Sequence, residues 1–210
     1  MNKLRSESVS NILSIILKIS IVLASVALIN TALFDAAPEV YEYLFRFDQA
    51  VILLLTFLYY ILLVLYLIWV YKVHVDFNNL FLDYPITPGK AVGFYFIPIF
   101  NFYWLFNIPM KISNKLKHEP VTADDGKRFS AMWPFAMGLY FFNSFIDNYI
   151  SRTHPLDISN ELWLVSDLVF LTLMILSFLL LKAVTNSLQQ LKASKEDLEQ
   201  QPEEEPSLKA

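Results

Sequence analysis

Two blocks of this chain, residues 11–34 and 50–70, each run for twenty or more positions with few charges, and a third follows at 162–181. A helix needs about 20 apolar residues to cross the roughly 30 Å hydrocarbon layer of a bilayer. Blocks of that length are the strongest constraint on the fold. The composition agrees: 56% of residues are hydrophobic and 17% charged, and the apolar ones are gathered in runs. A shorter run at 129–146, interrupted by Pro134, Gly138 and Asn143, reads as a further span. The expected fold is an all-α, polytopic integral membrane protein with four transmembrane helices.

Lysine and arginine collect in short cytoplasmic loops and so orient the spans. Residues 35–49 hold Arg46 against Asp35, Glu39, Glu42 and Asp48, and residues 147–161 hold Arg152, so both are expected outside. Lys72 and Lys90, then the dense group Lys111, Lys115, Lys117, Lys127 and Arg128, and finally Lys182, Lys192, Lys195 and Lys209 are expected inside. Lys3 and Arg5 precede the first block, which Lys18 interrupts, so an uncleaved first helix is expected. Both termini are then cytoplasmic.

The stretch "TPGKAVGFYFIPIFNFYW", residues 87–104, is nearly long enough to cross, yet basic groups flank it on both sides. Crossing would export one flank. Pro98 removes a backbone donor, clashes with the carbonyl of Phe94 and biases Ile97 away from helix. Broken backbone at membrane depth is tolerated only where protein or a watery cavity covers it. The sequence therefore predicts two short helical pieces over 91–110, hinged near Ile97 and Pro98, as a re-entrant or interfacial segment of the cytoplasmic leaflet. Trp69, Trp104, Trp133 and Trp163 suit interfacial depths.

Within the spans, Ser20, Ala24, Ala27 and Thr31 form a stripe of small side chains that permits close packing against another span or a second copy. Lys18 lies near enough to the boundary to snorkel. Asp167, in the last span, is a functional candidate by default; with Asn143 and Asp147, one turn apart on the neighbouring span, it outlines a polar pocket open to the outside.

Reaction chemistry is hard to find. There is no cysteine. His74 with Asp76, and His118 with Glu119, lack ligand spacing and read as solvated residues. Asp124 and Asp125 precede Gly126 in an apparent turn. Gly89-Lys90 and Gly126-Lys127 lack the remainder of a phosphate loop. No catalytic motif, cofactor site, metal site or nucleic-acid signature emerges. The basic group Lys111, Lys115, Lys117, Lys127 and Arg128 is positioned to hold anionic lipid headgroups. Domain organisation follows as a helical membrane domain over 1–192 and a disordered, acidic cytoplasmic tail over 193–210.

The run "ITPGKAVGFYFIPIFNFYWLFNIPMKI" resembles the motif of a bacterial membrane-protein family known only as a domain of unknown function. Thr87, Pro88, Gly89, Ala91, Val92, Gly93, Pro98 and Asn101 carry the likeness. Trp69, Tyr71, Lys72 and Asn78 in "IWVYKVHVDFNNL" are similar to its upstream motif, and Thr185 and Gln189 in "VTNSLQQ" to its closing one. The family usually has a second proline soon after the asparagine, whereas Pro109 comes eight residues later. The resemblance implies a bacterial inner-membrane, multi-span protein and no activity. The candidate functional motif is Thr87, Pro88, Gly89, Gly93, Pro98, Asn101 and Trp104. The expected role is non-enzymatic, through protein partners or lipids; the alternative is a small-solute or ion carrier using the broken segment and Asp167.

Overall fold

The computed structural model describes residues 3–154 and 158–200. Among them the chain is helical with no strand, in the order α1 (Glu7–Ala36), α2 (Pro38–Leu80), α3 (Pro88–Gly93), α4 (Phe100–His118), α5 (Ala123–Arg152) and α6 (Asn160–Gln200), with 3-10 turns at Phe94–Phe96 and Pro120–Thr122. Three of these helices, α1, α2 and α6, are long and apolar enough to cross a membrane. The 30-residue α5 is long enough but is not among those three.

Residues 38–49, read from their acidic side chains as an outside loop, are instead the first turns of α2. The reason is local. Pro38 occupies the first turn of the helix, where its fixed φ fits and its missing N–H is no loss, and Glu39 complements the helix dipole. Only Ala37, at φ −151°, separates α1 from α2. At 43 residues, α2 is about 64 Å long at 1.5 Å per residue, roughly twice the thickness of the hydrocarbon layer.

Helix α1 packs between α2 and α6, α5 packs on the other side of α6, α4 on α5, and α3 on α2. Ser20, Ala24 and Ala27 on α1 are 1%, 2% and 6% exposed, so the small-residue stripe is buried within the chain. Helix α2 is peripheral: 6% of its most apolar window is buried, against 28% for α1 and α6. Leu53, Phe57, Tyr60 and Val64 point outward. In hydrocarbon that is no penalty, because lipid tails are as apolar as leucine.

Tight packing concentrates at one end, here called the core end. There the start of α1, residues 69–80 of α2, the 81–87 loop, α3, the last turns of α4 and residues 181–191 of α6 converge. Val73, Phe77, Ala91, Leu116, Val184 and Leu188 are wholly buried in it. Thr122 donates to the carbonyl of Leu116 at 2.8 Å and ties the turn between α4 and α5 to the same core. Helix α6 continues to Gln200 with Lys192 3.7 Å from Glu196 and Lys195 donating to the carbonyl of Leu80. Residues 193–200 are thus helical where composition suggests disorder, because an i, i+4 ion pair and this docking contact support them. Residues 201–210 of the predicted tail lie outside the described residues.

Gly126 is not in a turn. It sits in the first turns of α5, where an added Cβ would lie 2.6 Å from the backbone nitrogen of Lys117 and 2.8 Å from the carbonyl carbon of Leu116. Gly138, on the same helix, has open space around it. Gly126→Ala is expected to lower the melting temperature of the detergent-solubilised protein, at a cost of about 1–3 kcal/mol for overpacking. Gly138→Ala, gaining helix propensity, is expected to leave it unchanged or raise it.

Candidate functional site

The motif residues lie on a helical hairpin whose two arms leave from and return to the core end. Thr87 sits at the N-cap position of α3 with extended backbone and accepts the N–H of Ala91 at 3.0 Å. Pro88 supplies the first turn, Gly89 is exposed, and Ala91 is wholly buried against α2. The preceding loop is pinned from α2: the Asn78 side-chain amide donates to the carbonyls of His74 at 2.6 Å and Ile86 at 2.8 Å. After Gly93 the chain tightens into the 3-10 turn Phe94–Phe96.

At Ile97–Ile99 helical geometry stops. Ile97 is extended, Pro98 has no N–H to give, and Ile99 holds φ 56°. A positive φ at a β-branched residue is a steric outlier that costs of order 1–3 kcal/mol. The N–H of Asn101 reaches back to the carbonyl of Ile97 at 2.9 Å and restarts the chain as α4. The second piece is longer than expected, 19 residues with Pro109 inside it.

Ring contacts close the hairpin. Phe94 stacks on Phe100 with centroids 5.6 Å apart and meets Trp104 edge-on at 4.8 Å. Tyr95 approaches Tyr66 of α2, hydroxyl to hydroxyl at 3.5 Å, while Phe102 and Phe106 stack on Phe141 of α5. The apex itself is bare: Phe96, Ile97, Ile99, Phe100, Phe102 and Tyr103 are all exposed. A contiguous exposed apolar surface of this kind marks a lipid or partner contact.

Beneath the hairpin lies a polar feature that the sequence did not suggest. His74 and Asp76, read as solvated, are 0% and 2% exposed. Asp76 accepts the backbone N–H groups of Arg5 and Ser6, each at 2.8 Å, and so caps α1 from α2. A carboxylate at a helix N-terminus satisfies orphan donors and complements the helix dipole. Trp69 adds a second tie, donating to the hydroxyl of Ser10 at 2.9 Å. His74 Nδ1 lies 2.8 Å from the carbonyl of Val70, and its ring lies 5.6 Å from that of Tyr84. His74 Nε2, Tyr84 Oη, Trp104 Nε1 and Asn107 Oδ1 are buried without a hydrogen-bond partner, which makes this end of the bundle unusually rich in unmet polar groups.

No family model, curated protein or solved structure matches the chain.

The predicted outer pocket divides. Asn143 donates to Asp147 at 2.7 Å within α5, whereas Asp167 accepts from Thr31 of α1 at 2.6 Å. Among the described residues no hydrogen bond joins the two sets. On the α1 side lies a carboxylate that sequence reading assigned to a loop: Asp48, 5% exposed, bonded by Asn30 at 3.1 Å and Tyr41 at 3.2 Å. The five basic residues also disperse. Lys115 pairs with Asp83 at 3.1 Å and Glu119 at 3.6 Å, lies over the Phe81 ring and holds the Asp83 carboxyl below its usual range. Lys117 donates to Ser130, and Lys127 pairs with Asp124 at 3.0 Å. Lys111 lines an open cleft of about 320 Å3 with Asn114 and His118, and Arg128 faces α6 instead.

Asp76→Ala removes the acceptor for two N–H groups. The expected result is a loss of about 1–3 kcal/mol, seen as a lower melting temperature together with faster hydrogen exchange at the amides of Arg5 and Ser6.

Proposed function

We propose that this is a four-span membrane protein with both termini cytoplasmic, and that it is a non-enzymatic binding component whose working surface is the broken hairpin at the inner leaflet. Residues 129–146 of α5 supply the fourth span. The core end, which carries Lys72, Lys90 and the basic residues from Lys111 to Arg128, is the cytoplasmic end by the positive-inside bias. The likeness of residues 87–101 to the bacterial family motif fits that placement and suggests the inner membrane of a bacterium.

One observation carries the reading. The hairpin exposes six large apolar side chains around a backbone break, and both of its arms return to the same end of the bundle. Such side chains are favoured in acyl chains or against an apolar partner, and are costly to leave in water. The carrier reading needs the break and Asp167 to serve one substrate. Asp167 keeps company with Thr31, near the far end of α1, whereas the hairpin meets α2 at Tyr66. Tyr66 and Asp48 are separated by about 27 Å of helix at 1.5 Å per residue, so the geometry favours a binding surface over a single translocation site.

A photoreactive phenylalanine analogue at Phe100 in the full chain tests the role in living cells. Adducts with another membrane protein, lost when Phe96 and Phe102 are both changed to serine, are expected; adducts with lipid alone would reduce the hairpin to an anchor. Solute uptake by liposomes carrying the purified chain, abolished by Asp167→Asn, would instead restore the carrier. Orientation is checked with single cysteines. Asn114 and Ser159 are both exposed and serve as the two positions. An impermeant thiol reagent on intact cells is expected to label Ser159→Cys and to spare Asn114→Cys.

A further inference from the structure

Away from the hairpin, the first turns of α5 and the middle of α6 border an open groove of about 370 Å3. Helix α5 contributes Asp125, Arg128 and Met132, and α6 contributes Leu179, Lys182 and Asn186. Both sets follow the i, i+3, i+7 spacing of a single helix face. The helices run antiparallel, so the polar members of both sets meet at one mouth while Met132 and Leu179 lie deeper. Arg128 is the last residue before the apolar run 129–146, and Lys182 is the first after the run 162–181. The two cations therefore stand at the same boundary, reached from opposite chain directions.

Neither cation is locked in a close ion pair, although Asp124, held below its usual range chiefly by Lys127, also feels Arg128. Arg128 and Lys182 are both exposed, and among the described residues neither closes an ion pair or donates a hydrogen bond. Lys182 rests 5.6 Å from the Phe178 ring, and Lys18 of α1 lies 5.7 Å from the same ring, so a third positive group stands close by. Lys115, Lys117 and Lys127, by contrast, are engaged with Asp83, Ser130 and Asp124. The groove's own charges are Arg128, Lys182 and Asp125, a net of +1 that one phosphodiester neutralises.

We propose that this groove holds the headgroup of one anionic phospholipid of the phosphatidylglycerol type, a proposal that rests on α5 being a membrane span. The phosphodiester sits between Arg128, whose fork of donors suits two phosphate oxygens, and the Lys182 ammonium. Asp125 and Asn186 accept hydrogen bonds from headgroup hydroxyls, and the acyl chains run down over Met132 and Leu179. The gradient from charged mouth to apolar depth matches a lipid; a soluble phosphate ester would leave the deeper half of the groove unused. A basic pocket between spans at the cytoplasmic boundary is the expected place for such a headgroup.

The test uses the full chain in nanodiscs of equal phosphatidylcholine and phosphatidylglycerol, released for native mass spectrometry. Wild type is expected to retain one phosphatidylglycerol per chain in preference to phosphatidylcholine, and Arg128→Gln and Lys182→Gln each to lower that retention about fivefold. Lys111→Gln, which removes a cation of the other cleft, is expected to change nothing. Equal retention of both lipids, an equal loss with Lys111→Gln, or displacement of the lipid by millimolar glycerol 3-phosphate would overturn the proposal. Cysteines at Lys127 and Ser151 separate the two levels of the argument. If an impermeant reagent labels both from one side, α5 is not a span; if it labels them from opposite sides and no phosphatidylglycerol is enriched, the lipid site alone fails.

Discussion

Hydrocarbon offers no hydrogen bonds, and that single fact governs what the segment around Pro98 is able to do. Each backbone group left unpaired in lipid costs several kcal/mol. At Ile97–Ile99 the helical ladder is interrupted by a residue without an N–H and by one at positive φ. An unsupported break cannot lie midway along a lipid-facing span. Here it is bridged by the Asn101 N–H, flanked by Phe94, Phe100 and Trp104, and braced on α2 and α5 by Tyr95 and Phe102. In the proposed topology the hairpin enters and leaves by one face, which keeps that repair close to the tight packing of the core end.

The same solvent logic, in the proposed membrane setting, accounts for the gathering of the largest fully buried side chains at one end of the bundle. Inside a bilayer, moving an apolar side chain from lipid to protein yields little, and α2 accordingly leaves most of its apolar window exposed. In the proposed topology the core end is where the helices emerge, and there burial removes surface from water and contributes roughly 1.5–3 kcal/mol for each large side chain. Phe77, Leu80, Ile108, Leu116 and Leu188 all lie in that zone. Asp76 adds direction to this cohesion, since a carboxylate bonded to two N–H groups fixes where α1 begins.

How much of this was legible depended on whether a residue's neighbours were near in sequence. Apolar blocks announce α1, α2 and α6 because a spanning helix needs no partner to declare itself. Pro98 and Ile97 announce a local steric problem in the same way. The first turns of α2 were missed because Glu39, Glu42 and Asp48 look like solvent-facing charge, and only Pro38 hinted at a helix start. Asp76 looked solvated because its partners, the N–H groups of Arg5 and Ser6, lie 71 and 70 residues away, and His74 because the Tyr84 ring beside it comes from the loop beyond α2. Gly126 read as a turn residue because its real requirement, clearance for the backbone at Lys117, comes from another helix. Asp167 was grouped with Asn143 and Asp147 on the assumption that its span pairs through α5; the structure binds it to Thr31 of α1. Lys182, which the sequence marks only as one of the late lysines expected inside, stands across a groove from Arg128.

The most direct measurement of the central claim is the depth of the hairpin apex. Spin labels at Ile99, Lys90 and His118 of the reconstituted chain, read by collision with oxygen and with a water-soluble nickel complex, report acyl or aqueous surroundings. The account predicts oxygen contact and nickel protection at Ile99, with Lys90 and His118 both reached by nickel from one compartment. Nickel access at Ile99, or nickel reaching Lys90 and His118 from opposite compartments, would contradict it.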